Sequence, residues 1–512
     1  MIIDTLNLAD GANIDADVVI VGGGMAGITL ARQWAGKSKT VAILESGGRE
    51  MEDSVQDLYA GTGILAVDGS PDTEIDEYLI SSRARFYGGS GNWWGGKSVP
   101  LDPADFAERP WIKNSGWPMS RADLQPYYNR ACDVLAIPHF DKDYAAPQHE
   151  GRPPLDINGS RRVTSLPRDY TRVTGRTHTD HFEEFIYSFT DAANMSVYLH
   201  ANVVDFNMNT EGTALDSLGV VGGDGRRFTA RGTTYVLACG GIENARLLLA
   251  ANARNNARFG NRSGALGRYF QGHATVDRER SAKEQGTLVH FSNPAGPLSL
   301  YADRAPGAPH AVLGTTLEGQ KHYQSGAFTV TMGLDDERGG SDEQALRTTA
   351  TRIDQAALAA DNDQECWCYF MAENLPNPDS RVTLADAVDT YGIPRVNLRW
   401  EYGVADIDNL ERSVDAFARE LGSAGVGRVS YPIERSEVTA AMGPSRHHMG
   451  TTRMHADPAV GIVDTDLKCH DASNLYVAGS SVFPTSGIAN PTLTILALTL
   501  RLSDHLQETL GV

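Results

Sequence analysis

Apolar positions in this chain cluster in short unbroken runs that end at glycine. Asp17-Val-Val-Ile-Val21 is an apolar, β-branched run of the kind a fully buried strand requires. Glycines 22, 23, 24 and 27 follow it, and Ile28-Thr-Leu-Ala-Arg-Gln-Trp34 then has helical spacing. Thr40-Val-Ala-Ile-Leu44 reads as a second buried strand, closing at Glu45. The two strands are predicted parallel, because a helix lies between them to make the crossover. The pattern returns twice. Thr234-Tyr-Val-Leu-Ala238 runs into Gly240-Gly241 and a helix from Glu243 through Leu249, and Asn474-Leu-Tyr-Val-Ala478 runs into Gly479-Ser480. Pro491 to Leu506 reads as a long helix with proline at its start, where a missing N–H costs least.

Three strand-to-glycine units so far apart predict one nucleotide-binding domain assembled from distant pieces, residues 1–100, 200–275 and 447–512. The stretches between, 101–199 and 276–446, hold most of the proline, tryptophan and tyrosine and are read as a second, cap-like unit. A length of 512 residues agrees, since one ordinary core does not extend that far. No internal repeat and no long low-complexity segment is visible.

Composition narrows the function. Hydrophobic content of 41% and charged content of 21% fit a globular protein. The net charge of −20 argues against nucleic acid, which needs a basic surface. Five cysteines (Cys132, Cys239, Cys366, Cys368, Cys469) at irregular spacings form no disulfide framework. Cys366-Trp-Cys368 has no second pair to complete a zinc site and is read as buried thiols. The fourteen histidines show no metal-ligand spacing, so no metal is expected. The N-terminus shows no basic stretch followed by an apolar run, and no apolar run nears the ~20 residues of a membrane helix. A reduced, cytoplasmic setting without a membrane span is therefore expected.

Gly22-x-Gly24-x-x-Gly27 lies between a predicted strand and a predicted helix, with Glu45 closing the next strand. The first glycine permits a tight turn, the second lets backbone amides approach a pyrophosphate, and the third lets helix pack on strand. The helix start then offers free N–H groups and a positive dipole end to phosphate. Glu45 can accept from a ribose hydroxyl. In this context the pattern reads as a dinucleotide site rather than a structural turn.

Four blocks together resemble the glucose–methanol–choline (GMC) oxidoreductases over nearly the whole chain. They are the N-terminal unit; Arg83-x-Arg85-Phe-Tyr-Gly88-Gly89-Ser90-Gly91-Asn92-Trp93-Trp94-Gly95-Gly96; Val236 to Leu249 together with Ala201-Asn202-Val203-Val204; and His447-His448-Met449-Gly450-Thr451-Thr452-Arg453-Met454, followed by Gly479-Ser480 and Gly487-Ile-Ala-Asn490-Pro491-Thr492. The resemblance implies an α/β fold in which a Rossmann-like FAD-binding domain joins an α+β substrate domain built on an antiparallel sheet. It implies FAD rather than NAD, and a noncovalent flavin, because the second block lacks the histidine that tethers FAD in some relatives. It places Gly22, Gly24, Gly27, Glu45, Arg85, Gly89, Ser90, Asn92, Trp93, Trp94, Gly95, Val203, Ala238, Gly479, Ser480, Asn490, Pro491 and Thr492 at the cofactor.

Ser115 to Tyr128 and Gly267-Arg-Tyr-Phe-Gln-Gly-His273 resemble the sugar-oxidising branch, which includes pyranose oxidases and glycoside 3-oxidases. The implied reaction takes a hydride from a hydroxyl-bearing carbon to the flavin N5, with C3 of a glycoside favoured over C2. A hydroxyl loses its proton near neutral pH only to a positioned base, and neutral imidazole suits that task. By motif position His447 is that base, with His448 as its one-residue rival. Asn490 is its amide partner, and the competing role for Asn490 is a helix N-cap. His178, His181 and His273 are possible substrate contacts, and Trp93, Trp94, Trp367 and Tyr369 possible pocket walls. Oxygen, a quinone or a redox partner protein would take the electrons. Two alternatives stay open: the flavin subunit of a multi-subunit sugar or polyol dehydrogenase, and a non-redox lyase of the same family.

Overall fold

The computed structural model describes residues 1–140, 157, 159–170, 179–255, 257–260, 262–276, 288–292, 310–333, 363–430, 435, 436, 439 and 442–512. His178 and the side chains of His181, Cys366, Trp367, Cys368 and Tyr369 lie outside what it describes.

Each apolar run ending in glycine becomes a buried parallel strand. Val18–Val21 and Val41–Leu44 pair in parallel around the helix Met25–Arg32. Thr234–Leu237 lies on the other side of Val18–Val21 and pairs in turn with Leu475–Val477. Both central strands are buried along their whole length, as strands covered on both faces must be. Two further strands, Met195–Leu199 and Ile2–Asp4, make this a six-stranded sheet among the described residues. The helices Gly240–Asn255 and Thr492–Leu510 run longer than their apolar patterns indicate, the latter ending in Gly511 in the left-handed conformation.

A second layer is antiparallel. Among the described residues nine strands form one sheet, including Val163–Tyr170, His273–Val276, His310–Thr315, Phe328–Gly333 and Asp363–Glu373. Its core is separate and aromatic, with Phe270, Phe328, Phe370 and Trp400 all fully buried. The protein therefore combines a Rossmann-like parallel sheet with a second unit built on an antiparallel sheet.

The pairing crosses the domain division drawn from the sequence in two places. Residues 195–199, assigned there to the second unit, are a strand of the parallel sheet. Residues 61–67, assigned to the first, pair with Pro394–Tyr402 next to the second core. The sequence segment Met195-Ser-Val-Tyr-Leu199 alternates in burial, so it lacks the continuous apolar run that marks the other parallel strands.

Two close contacts hold the layers where the site forms. A Cβ on Gly27 would lie 2.0 Å from the Gly22 carbonyl oxygen, so helix meets strand with no room for a side chain. A Cβ on Gly241 would lie 2.3 Å from the His448 carbonyl oxygen, which brings the second glycine turn against the histidine segment. Deeper in the second unit, Arg109 and Glu373 form a bidentate pair at 2.6 Å, with both side chains wholly enclosed. Glu373 also accepts the Ala327 N–H. Taking one partner away leaves a buried charge without its counterion. Arg109→Met should therefore destabilise the protein by about 3–5 kcal/mol. Adding Glu373→Gln should recover part of that loss, because the amide still accepts from Ala327. Denaturant unfolding midpoints of the two variants test this, and an unchanged midpoint in Arg109→Met would refute it.

Candidate active site

The carboxyl ends of the parallel strands open onto a cavity of about 470 Å³, within the usual range for a small-molecule site. One end of it is backbone and small side chains. Gly22 and Gly24 line it, and the helix Met25–Arg32 starts there with no side-chain cap and no acidic residue in its first turn. The first-turn N–H groups of that helix are thus unanswered by side chains and carry its positive dipole end. Glu45 lies alongside, its carboxylate accepting the Gly23 N–H at 2.7 Å and the Gly47 N–H at 2.9 Å.

Most residues marked by the sequence come to this one cavity. Arg85, Gly89, Ser90, Trp93, Trp94 and Gly95 form one wall, and Val203 and Ala238 another. Gly479, Ser480, Asn490, Pro491 and Thr492 enter from the C-terminal segment, with His447 beside them. Two of the marked residues stand off it. Gly27 packs against Gly22, and Asn92 holds its own loop by donating to the Gly89 carbonyl at 2.8 Å and the Tyr87 carbonyl at 3.2 Å. Both hold backbone together beside the cavity instead of lining it.

His447 meets Asn490 across 43 residues of sequence, with the amide nitrogen 3.0 Å from the imidazole Nε2. The helix Thr492–Leu510 begins after Pro491 with no side-chain cap, so the Asn490 amide points at imidazole instead of capping the helix. Among the described residues, the Asn490 Oδ1 and the Trp94 indole N–H are buried without a hydrogen-bond partner. Both residues line the cavity, so they leave it one acceptor and one donor.

His448 is engaged elsewhere. Its Nε2 lies 2.7 Å from the Tyr78 hydroxyl, which spends its one hydrogen on the Ser445 carbonyl and so accepts from the imidazole. Burial, aided by Arg83, His447 and Arg446, pushes its pKa down to about 3, so it remains neutral at working pH. His273 does not line the cavity. It is fully buried in the strand His273–Val276, with its Nδ1 2.8 Å from the Nδ1 of His447.

The cavity also has a charged wall that the motifs only partly indicated. Glu243, at the start of the helix Gly240–Asn255, contacts Arg246 at 2.7 Å, Arg85 at 3.1 Å and Arg83 at 3.5 Å. Burial opposes its ionisation, but these guanidinium groups prevail and hold its pKa at about 2. Arg246 is pinned in turn by Asp389 at 2.6 Å, and Arg83 lies 3.8 Å over the ring of Tyr59. The i, i+3 spacing of Glu243 and Arg246 on one helix was visible in the sequence. Tyr59 and Asp389 come from segments with no motif.

Among the described residues, no group of three or more His, Cys, Asp or Glu side chains could hold a metal ion, and no helix is long and apolar enough to cross a membrane.

Known proteins resemble this chain at three levels. Residues 376–499 match the GMC oxidoreductase family in its C-terminal part. The fructose dehydrogenase large subunit of Gluconobacter japonicus is 24% identical over 96% of this chain and 97% of its own length. The paromamine 6'-oxidase of Streptomyces fradiae is 26% identical over 95% and 90%. A C-glycoside 3-oxidase of Microbacterium trichothecenolyticum reaches 33%, over 27% of this chain and 26% of its own. In fold, formate oxidase of Aspergillus oryzae superposes with a TM-score of 0.58 at 17% identity, covering 98% of this chain and 99% of that one. Pyridoxine 4-oxidase from Mesorbium loti gives the same score and identity over 97% and 99%. The C-terminal part of the chain is thus similar to the GMC oxidoreductases, and nearly its whole length is similar to sugar-type dehydrogenases and oxidases.

Proposed function

We propose that this protein oxidises a secondary alcohol of a sugar or glycoside to the ketone, with C3 of a glycoside favoured, using noncovalent FAD and with His447 as the base. The observation that carries this reading is the pairing of the His447 Nε2 with the Asn490 amide, 3.0 Å apart on the wall of a cavity whose far end is a glycine turn and a free helix start.

The walls suit FAD on their own chemistry. The free N–H groups at Met25 and the backbone beside Gly22 and Gly24 fit a pyrophosphate, and Glu45 fits a ribose. The unpartnered Trp94 N–H and the Asn490 Oδ1 are the kind of buried polar atoms that a bound ring system satisfies. Val203 and Ala238 offer an apolar surface for an adenine, and Gly479, Ser480, Pro491 and Thr492 would border the flavin. When bound, FAD supplies the two-electron acceptor for the carbon-bound hydrogen.

The chain's own residues do the rest. A substrate hydroxyl entering between Asn490 and His447 donates to the Nε2 and accepts from the Asn490 amide. Those two bonds fix the alcohol oxygen, and with it the direction of the adjacent C–H. As the C–H bond breaks, Nε2 takes the hydroxyl proton, so no alkoxide has to form free in the cavity. His448 cannot replace it, because its Nε2 is held by Tyr78.

The sugar assignment rests on the relatives, whose names include a fructose dehydrogenase large subunit, a paromamine 6'-oxidase, a 6'''-hydroxyparomomycin C oxidase and C-glycoside 3-oxidases. One of these, matched over nearly its entire length, is the large subunit of a dehydrogenase, which favours a protein or quinone acceptor as the second reading. An anaerobic screen of glycosides, free sugars and polyols, read by flavin bleaching, tests the function. NMR of the product then locates the carbonyl, and oxygen uptake set against dye reduction separates oxidase from dehydrogenase. Failure of every sugar to bleach the flavin would refute the proposal.

Two substitutions probe the residues. His447→Ala should slow flavin reduction by about 10²–10⁴-fold while leaving FAD bound. Asn490→Ala should slow it by about 10- to 100-fold, a barrier increase of about 1.4–2.8 kcal/mol. Stopped-flow absorbance measures both. A thermal melt of Asn490→Ala that drops while the reduction rate holds would assign that residue to stability alone.

A further inference from the structure

We propose that His273 is the second station of a two-imidazole proton relay behind His447, and this rests on the assignment of His447 as the base. The Nδ1 atoms of the two rings lie 2.8 Å apart, with ring centroids at 4.8 Å and planes at 74°. Two nitrogens at that distance share one proton. With none, two lone pairs face each other; with two, the N–H groups collide.

The other end of His447 decides whose proton it is. The Asn490 amide nitrogen only donates, so the His447 Nε2 next to it is an acceptor. A neutral His447 therefore carries its proton on Nδ1 and donates it to the Nδ1 of His273, which holds its own proton on Nε2. This is the tautomer a base requires, with its reactive nitrogen bare.

The proton balance follows. The alcohol O–H breaks and an N–H forms at the His447 Nε2. The His447 Nδ1–H then breaks and an N–H forms at the His273 Nδ1. His447 ends neutral, protonated on Nε2, and the positive charge moves onto His273, one residue further from the cavity. His273 does not touch substrate in this scheme. It is a positioning residue and proton acceptor that acts through His447, and its burial keeps water from breaking the bridge.

The charged groups around the pair resist a second proton. From its own segment the pair has Arg446 and the neutral His448 beside it; Tyr78 comes from the helix Asp76–Ser81 and Arg83 from the cavity wall. Tyr402 donates to the His273 carbonyl, and Glu373, already paired with Arg109, stands opposite His273 in strand register. Two imidazolium ions in contact would repel, so the pair takes up a single proton with a pKa that belongs to both rings.

His273→Asn separates relay from mere support, because its amide can still accept the His447 Nδ1–H but cannot take the proton. Sharing a proton raises the affinity of the wild-type pair for it. Since reduction needs the base bare, its rate rises with pH through that shared pKa. In His273→Asn the rising limb of the flavin-reduction profile should move about one unit toward lower pH, and the plateau should fall at least about tenfold. A purely structural role would lower the rate without moving the limb. Holoenzyme labelled with ¹⁵N-histidine provides a readout that needs no substrate. Both rings should titrate together in wild type, and the His447 ring should titrate at lower pH in His273→Asn and His273→Gln. Independent titration of the two rings, or an unmoved His447 signal in these variants, would overturn the relay. His447→Ala, run in parallel with a methyl glycoside that bleaches the flavin, keeps the two ideas apart. Normal reduction in that variant refutes the base assignment itself. Slow reduction there with an unmoved limb in His273→Asn refutes only the relay.

Discussion

How closely backbone can approach backbone at the ends of the parallel strands governs this structure. At Gly27 the helix presses on the carbonyl of Gly22, and at Gly241 the second glycine turn presses on the carbonyl of His448, each with no space for a Cβ. The first contact sets the angle at which the helix start faces the cavity. The second brings the histidine segment against the nucleotide sheet. A side chain at either position would push one layer away from the other, and the walls that now converge would separate.

Within that frame, electrostatics divides the cavity into two chemistries. Around Glu243, three guanidinium groups fix a carboxylate that stays ionised far below ordinary acid pH. This is a rigid, charged wall with little freedom to exchange protons. At His447 the surroundings are an amide, which only orients, and a second imidazole, which can pass protons near neutrality. Its neighbour His448 shows how little separates the two cases. One position along the chain, a burial site facing several cations and a tyrosine hydroxyl makes the same side chain inert.

What the sequence revealed follows from what each feature depends on. Strands with continuous apolar runs were legible, because a strand buried on both faces admits nothing else. So were the glycine turns and the order of the C-terminal blocks, which bring His447 and Asn490 to one cavity. The strand Met195–Leu199 was not legible, since its alternating burial imitates a half-exposed strand of another sheet. Gly27 and Asn92 were read as cofactor residues from their motifs, but motif position does not distinguish a residue that faces a cavity from one that holds the loop. The cap reading of Asn490 failed for a similar reason: Asn-Pro-Thr suits a helix start locally, yet the amide is turned toward a ring 43 positions earlier. His273 drew notice only as a possible substrate contact, because its partner is fixed by the pairing of distant strands.

The order in which the sheet's pieces occur along the chain bears on how the protein is made. Thr234–Leu237 is flanked on one side by Leu475–Val477, which is translated more than two hundred residues later. Until that strand emerges, a nascent chain leaves unpaired the edge of a strand that is buried along its whole length in the finished fold, the type of surface that recruits other strands. The same late stretch brings His447 and Asn490, so a nascent chain that has not yet reached it lacks both its sheet edge and its reactive groups. Closing that edge and bringing in the reactive pair therefore depend on the same late segment.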